Sequence, residues 1–591
     1  MVRWAERLGP DVPLLEGHAG LITGGLVKQT YTLGLDYGTN SVRAVVVSCA
    51  DGRTTGAHVF DYPSGERGVI LDTGDPHLAR QSPADYVEGL RVAAAGALAE
   101  AAADFGFSRD RVVGIGVDTT GSTPIPIDAR CRPLAFDSKW RANPAAHAWL
   151  WKDHTAAAEA ATITEVARDH APEYLAPIGG TYSSEWFWSK VWHCLNVAPD
   201  VFEAAATWME LADFIPAVLT GVTDPRTIFR CVCAAGHKAM YSREWGGLPS
   251  EDFLARLDPR LAELRGRLYD QAHPPHRPAG RLSPEWADQL GLRAGIPVAM
   301  GGFDAHYGAV GAGVAPGTLV KIIGTSTCDI TVAPTSEPIG NVPGICGIVD
   351  GSVMTGYYGI EAGQSAVGDL LHWWVESVCE GDDTLHRTLS DEAARLRPGA
   401  SGLLALDWNN GNRTVLVDPR LTGLILGQTL HTSRAEVYRA LIESTAFGAR
   451  VIVERLAECG VPIDRIVCCG GIAAKNDLFM QIYADVLGRP MLLAGSTQTP
   501  ALGAAISAAV VAGADAGGYA TFEEAQARMT SLRDERFDPD PGAQAVYDEL
   551  FAMYRELHDS FGGVAGARAD FPSMMKRLLA LRERATGVGL Q

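Results

Sequence analysis

The chain has 591 residues, 47% of them hydrophobic and 20% charged, and a formal net charge of −20; this is the composition of a globular protein too long for one hydrophobic core. So acidic a surface excludes nucleic acid and anionic membrane as natural partners, and any phosphate site must be built locally from backbone N–H groups and a bound cation. Eleven cysteines are scattered without a C-x-x-C pair, so reduced, partly buried thiols in a cytoplasmic protein are expected; no apolar run reaches the length of a membrane span, and the first 30 residues lack the apolar stretch of a signal peptide.

Residues 1–30 read as an N-terminal extension. From Tyr31 to Asp36 the sequence is strand-like, and Ser41 to Ser48 is a second β-branched run, so the two predict a hairpin turning at Tyr37–Asn40. Ala84 to Phe105, rich in alanine with apolar residues three and four apart, predicts a helix. Val112 to Val117 predicts a buried strand that ends at Asp118 and opens into the polar loop Thr119–Thr123. Residues 140 to 290 are dense in tryptophan, proline and helical patches, as in an insertion with its own packing.

The strand-loop pattern then restarts. Ile296–Met300 leads to Gly301-Gly302-Phe303-Asp304, and Thr318–Ile323 leads to Gly324-Thr325-Ser326-Thr327. Arg434–Cys459 predicts a long helix stopped by Gly460. Arg465–Cys469 predicts a short strand running into Gly470-Gly471, with a helix from about Ala474. Pro500–Ala512 predicts a helix with proline in its first turn. Beyond Pro541 a helix fades into a weak tail. Strands alternate with helices in both halves, which predicts two α/β domains, 31–297 and 298–560, with a tail at 561–591 and a cleft between the domains as the ligand site.

Four segments carry candidate chemistry. In Gly34–Ser41 a turn after a strand sets the Asp36 carboxylate beside exposed N–H groups; Gly38 allows close approach, and Thr39, Asn40 and Ser41 add donors. Taken alone, a plain hairpin accounts for it. Gly324 and Thr325 open a second hydroxyl-rich loop at the corresponding place in the other half, so the two suggest facing phosphate clamps. No P-loop run, G-x-x-x-x-G-K-[ST], occurs. Gly470-Gly471 through Asn476 leaves room for a flat ring or ribose at a strand-to-helix junction. Asp304, just past a buried strand, can accept a hydroxyl proton, although a helix-capping aspartate explains it equally. His306 reads as a satisfied structural histidine, and Trp151, Trp186 and Trp188 as core.

Gly34–Ser41, Gly301–Gly313, Gly324–Asp329 and Gly470–Gly488 resemble the motifs of the FGGY carbohydrate kinases. Val117–Pro124, Trp151–Thr155, Tyr182–Trp188, Ala235–Lys238, Gly324–Ile330 and Glu361–Ser365 resemble the branch of that family that acts on L-ribulose. The resemblance implies two actin-like, ribonuclease-H-like domains, the first sugar-binding and the second ATP-binding. It implies ATP-dependent phosphorylation of the terminal hydroxyl of a ketopentose, L-ribulose first, in arabinose catabolism. Asp304 is then the catalytic base, Asp36 and Asp304 lie near Mg²⁺, and Gly38, Thr39, Asn40, Ser41, Gly324 and Thr325 hold phosphate. Gly471 and Asn476 line the adenosine pocket, and Gly121, Ser122, Lys238, Asp304 and Glu361 face the sugar. A homodimer is compatible with it. The alternatives are another kinase of the family, acting on D-ribulose, xylulose or glycerol, or an actin-like sugar-sensing ATPase.

Overall fold

The structure is a computed structural model and describes residues 29–340 and 342–587; the expected extension, residues 1–30, lies almost wholly outside them. The first sheet begins with β1 (Tyr31–Tyr37) and β2 (Ser41–Ser48), joined by a turn in which Gly38 N donates to Ser41 O at 3.0 Å, and continues with β3 (Thr54–Asp61). Helix α1 (Pro83–Ala101) packs on it through Tyr86, Leu90, Ala94 and Leu98. Strand β4 (Val112–Thr119) lies parallel to β1, with Asp36 opposite Asp118. Its eight residues are all buried, so it reads as an uninterrupted apolar run rather than an alternation.

Residues between Leu134 and Ala272 build a separate core around Trp140, Trp149, Trp186, Trp188 and Trp208, and helix α2 (Val232–Lys238) packs at its edge. Strands β5 (Pro278–Arg281), β6 (Pro297–Ala299) and β7 (Gly302–Phe303) return to the first sheet, giving the order β5-β6-β4-β1-β2-β3 with β7 also on β4. The chain thus stays in the first sheet beyond residue 297, through Phe303. Helix α3 (Asp304–Gly311) follows at once.

The second sheet has strands β8 (Thr318–Ile323), β9 (Thr327–Pro334), β10 (Gly347–Asp350) and β11 (Tyr357–Ala362). Helix α4 (Arg434–Glu458) starts with a Ser433/Glu436 capping box. Then come β12 (Arg465–Cys469), α5 (Asp477–Leu487), β13 (Met491–Ala494), α6 (Thr499–Ala512) and β14 (Leu532–Phe537), in the sheet order β10-β11-β9-β8-β12-β13-β14. The helix expected from Ala474 begins instead at Asp477. Asn476 takes the cap position, its Oδ1 accepting from Phe479 N at 3.0 Å, which satisfies a donor the helix cannot. Helix α7 (Pro541–Phe561) is followed by α8 (Phe571–Thr586), which buries Met574, Leu578 and Leu581, so the expected weak tail carries a docked helix. Its apolar positions fall at i, i+4 and i+7, a stripe masked in the sequence by charged neighbours.

The two halves meet where α6 crosses β1, β4 and α3. A Cβ on Gly34 or Gly116 would fall well inside 3 Å of the carbonyl of Ala501 or Ala504, and one on Gly503 would strike the Tyr307 carbonyl. The backbones therefore touch, and only glycine fits at these three positions.

Candidate active site

Three carboxylates converge at the carboxyl ends of neighbouring strands. Parallel pairing puts Asp36 opposite Asp118 and Asp118 opposite Gly302, so Asp304, two residues on, heads α3 beside both. Asp304 Oδ1 accepts from Ala305 N at 2.6 Å. Burial, then the Asp36 charge, pushes Asp304 up to about 7, in spite of the Ala305 N–H and the Lys238 ammonium. Burial raises Asp36 too, partly offset by Arg43, whose guanidinium lies 3.6 Å away. Asp118 was legible only as the end of a buried strand. It is fully buried, neither carboxylate oxygen has a hydrogen-bond partner other than the neighbouring acid, and burial with Asp36 and Asp304 lifts it well above the carboxylate range. This charge-dense cluster fits a divalent cation, which supplies the positive charge the carboxylates lack.

The 37–41 turn is braced from outside. Trp151 Nε1 donates to Thr39 Oγ1 at 3.0 Å, Gln81 Nε2 to Thr39 O at 2.6 Å, and Asn40 Nδ2 to Arg67 O at 2.7 Å. Trp151, expected in the core, is half-buried and ties the tryptophan-rich region to this loop. A Cβ on Gly38 would approach only Ser41 O, at 3.5 Å.

In the second half, Gly324 and Thr325 are exposed in the β8–β9 turn, where their carbonyls accept from Gly368 N at 3.1 Å and Val367 N at 2.8 Å. Strands β8 and β12 are parallel, so the Gly470-Gly471 turn lies beside Gly324. Gly470, at φ +104°, presses on Ile323, whereas a Cβ on Gly471 would meet nothing within 4 Å. Asn476 also receives Ser390 Oγ at 3.2 Å, which occupies its oxygen, and its side chain interacts with the Tyr438 hydroxyl, so at most part of its amide N–H₂ remains for a ligand.

Lys238, the last residue of α2, places Nζ 3.1 and 3.3 Å from the two oxygens of Glu361 on β11. Nζ also lies 5.3 Å from the Trp186 ring and 5.6 Å from Phe303; Trp186, expected in the core, thus also borders this lysine. Burial would raise Glu361, but Lys238, His237 and His306 outweigh it and hold the carboxyl far below its ordinary value. Burial would lower Lys238, and Glu361 reverses that. His306, expected to be satisfied, is buried with Nδ1 unpartnered and Nε2 facing His237. Both Glu361 and Lys238 act on Asp304 electrostatically, so this pair borders the carboxylate cluster.

The 121–123 loop is held from behind. Glu210 accepts from Ser122 Oγ and from Thr123 N (2.7 Å), and Lys190 Nζ donates to Ser122 O at 2.8 Å. Burial pushes Glu210 up and Lys190 down. The Ser122 hydroxyl is thereby committed to Glu210, so the loop has backbone N–H groups, not this hydroxyl, to offer a ligand. A Cβ on Gly121 would overlap the Phe303 ring.

All eleven cysteines are free, and no helix among the described residues is long and apolar enough to cross a membrane. Residues 31–311 match the N-terminal domain of the FGGY family of carbohydrate kinases and residues 319–512 its C-terminal domain. The chain is 42% identical over 576 residues to a ribulokinase of Shouchella clausii, covering 95% of this chain and 99% of that one. It is 40% identical to a ribulokinase of Mycolicibacterium smegmatis, covering 94% and 97%. The structure of a xylulose kinase from Rhodospirillum rubrum superposes with a TM-score of 0.74 at 26% identity, covering 90% of this chain and 99% of that one. The fold is that of two actin-like, ribonuclease-H-like α/β domains.

Proposed function

The chain belongs to the FGGY family of carbohydrate kinases, an ATP-dependent sugar kinase, and we propose that its acceptor is the terminal 5-hydroxyl of L-ribulose, giving L-ribulose 5-phosphate in L-arabinose catabolism. The observation that carries this reading is the identity of 40–42% with ribulokinases over nearly the whole chain. The charged pocket supports it: a buried Lys238–Glu361 pair beside Asp304 offers donors and an acceptor to a polyhydroxylated sugar.

In the proposed reaction the sugar O5–H proton passes to Asp304 as O5 bonds to the γ-phosphorus, the bond to the β-phosphate oxygen breaks, and ADP leaves. An aspartate raised to about 7 suits a base working near neutral pH. Mg²⁺ bound near Asp36 and Asp304 would neutralise phosphate charge, with Asp118 behind them. Gly38 N–H and Gly324 N–H close their own turns on Ser41 O and Ser326 O, so the N–H groups of Thr39 and Asn40 in one half and of Thr325 in the other receive phosphate oxygens, with Gly38, Ser41 and Gly324 shaping the two loops. The open face of Gly471 and the Asn476 amide receive the adenosine. Lys238, Glu361 and the backbone of Gly121 and Ser122 orient the sugar, supplying much of the acceleration by positioning. Free cysteines and the absence of a spanning helix among the described residues agree with a cytoplasmic enzyme.

The test is product identification after incubation with ATP, Mg²⁺ and each of L-ribulose, D-ribulose, D-xylulose and glycerol. L-ribulose 5-phosphate should form with the highest kcat/KM. Preference for another acceptor overturns the substrate; ATP hydrolysis without any phosphosugar overturns the transfer reaction.

A further inference from the structure

His237 and His306, two histidines for which phosphoryl transfer has no use, form a cluster with Glu361. They come from three elements, α2, α3 and β11, and all are buried, His237 and His306 to 0% and 1% exposure and Glu361 to 9%. His237 Nε2 and His306 Nε2 are 3.2 Å apart, His306 Nε2 is 3.6 Å from Glu361 Oε2, and His237 Nδ1 is 3.4 Å from the same oxygen. Two facing Nε2 atoms share at most one proton between them, and Nδ1 of both rings lacks a hydrogen-bond partner among the described residues. Unpartnered buried nitrogens of this kind are rare and call for an explanation.

We infer that His237, His306 and Glu361 bind a borderline transition-metal dication of the Zn²⁺ or Co²⁺ class, and that the bound ion excludes the sugar. Tetrahedral zinc with bonds of about 2.0–2.1 Å sets neighbouring donor atoms roughly 3.3–3.4 Å apart; His306 Nε2 stands near that separation from both His237 Nε2 (3.2 Å) and Glu361 Oε2 (3.6 Å), and one donor atom from each of the three residues lies within 4.8 Å of the others. Two imidazoles and one carboxylate, with a fourth position open, is a donor set zinc uses. Burial favours the neutral imidazole, the form with a free lone pair. Ser352 Oγ, 3.0 Å from His237 Nε2, is the one competing partner of that nitrogen. The Lys238 ammonium opposes a cation: it donates to Glu361 Oε1 at 3.1 Å and to Oε2 at 3.3 Å, so a metal on Oε2, the oxygen that also faces the imidazoles, must take that oxygen from the lysine and leave it Oε1. Asp304, two residues before His306 and electrostatically coupled to Glu361, adds negative potential beside the cluster when ionised. The ion would be distinct from the cation near Asp36, which takes oxygen ligands.

Exclusion of sugar rests on the reading that Glu361 faces it, whereas the metal site does not. The two are separated by titrating the substrate-free protein with Co²⁺ first. One equivalent should give the intense visible bands of tetrahedral cobalt, and X-ray absorption of the Zn²⁺-loaded native protein should show two imidazoles and no sulfur. His306→Gln and His237→Gln should each abolish the bands, with circular dichroism establishing that they fold. Weak octahedral bands, sulfur in the first coordination sphere, or bands that survive in both variants overturn the site. The native-protein absorption experiment decides even if neither variant folds. L-ribulose should displace the cobalt, and Zn²⁺ at ten times its Kd should raise the sugar KM about tenfold with kcat unchanged. Failure to compete while the bands remain overturns exclusion alone, and the product assay above tests the kinase reading independently.

Discussion

Replacing Asp304 by asparagine should stabilise the protein at alkaline pH while removing its activity. Folding raises this carboxyl from 3.8 to about 7, through burial and the neighbouring Asp36. A raised carboxylate favours the protonated folded state, so the penalty is absent below about pH 4, grows between 4 and 7, and is complete above 7. Three units at 1.36 kcal/mol each set a ceiling of about 4 kcal/mol. Asp304 keeps some solvent contact, and screening there brings the expected gain to about 1–2 kcal/mol. Asparagine keeps an oxygen to accept the Ala305 N–H bond, so the change isolates the charge. Thermal melts of both proteins, without nucleotide or Mg²⁺, should separate by a few degrees at pH 8 and coincide near pH 4.5. Turnover should fall roughly 10²–10⁴-fold. Equal melting at pH 8, or a gap that does not change with pH, would refute the electrostatic reasoning; near-normal turnover would remove Asp304 as the base.

Glu361→Gln leaves the Lys238 ammonium buried without its counter-charge; urea unfolding should show a loss of about 3–5 kcal/mol, and the sugar KM should rise in steady-state assays. Gly470→Ala and Gly471→Ala should part company: the first forces a Cβ into the Ile323 carbonyl at φ +104° and should lower the melting temperature by several degrees. The second points into open space and should leave melting unchanged while raising the KM for ATP. Trp151→Phe removes one hydrogen bond to Thr39; calorimetry should record a loss near 1 kcal/mol, with a several-fold rise in the KM for ATP.

What could be read in the sequence was whatever local pattern determines. Tyr31–Tyr37, Thr318–Ile323 and Arg465–Cys469 are short buried strands bounded by glycine, and both sequence and structure place them within a residue of one another. Asn476 shows the limit: its spacing from Gly470 is visible, but whether it begins the helix or sits within its first turn depends on a cap geometry the one-dimensional pattern does not fix. The Met574–Leu578–Leu581 stripe was missed because its partners, Gly399 among them, lie far back in the chain. Asp118 carried one signal, a carboxylate ending a strand otherwise apolar, which is the signal Asp304 also gave. The His237–His306–Glu361 group has no sequence signature, since its members are 69 and 55 residues apart and are brought together only by packing of the two halves.

Parallel strands explain why the carboxylates collect. Neighbouring parallel strands end on the same edge, so acids at the ends of β1, β4 and β7 must face one another, and repulsion is built into the topology. Asp118 has no ion-pair partner among the described residues; Arg43 pairs with Asp36 and acts on Asp118 only weakly, against the larger effects of burial, Asp36 and Asp304. The ligand-free fold therefore carries an electrostatic cost that the close backbone crossing of α6 over Gly34 and Gly116 must hold in place. On the proposed reading a divalent cation arriving with the nucleotide would relieve that cost, and part of its binding energy would be the release of repulsion already present. Rigid glycine contacts at the junction of the two halves and charge density at the cleft are then two sides of one arrangement, in which the packing keeps together what the charges would separate.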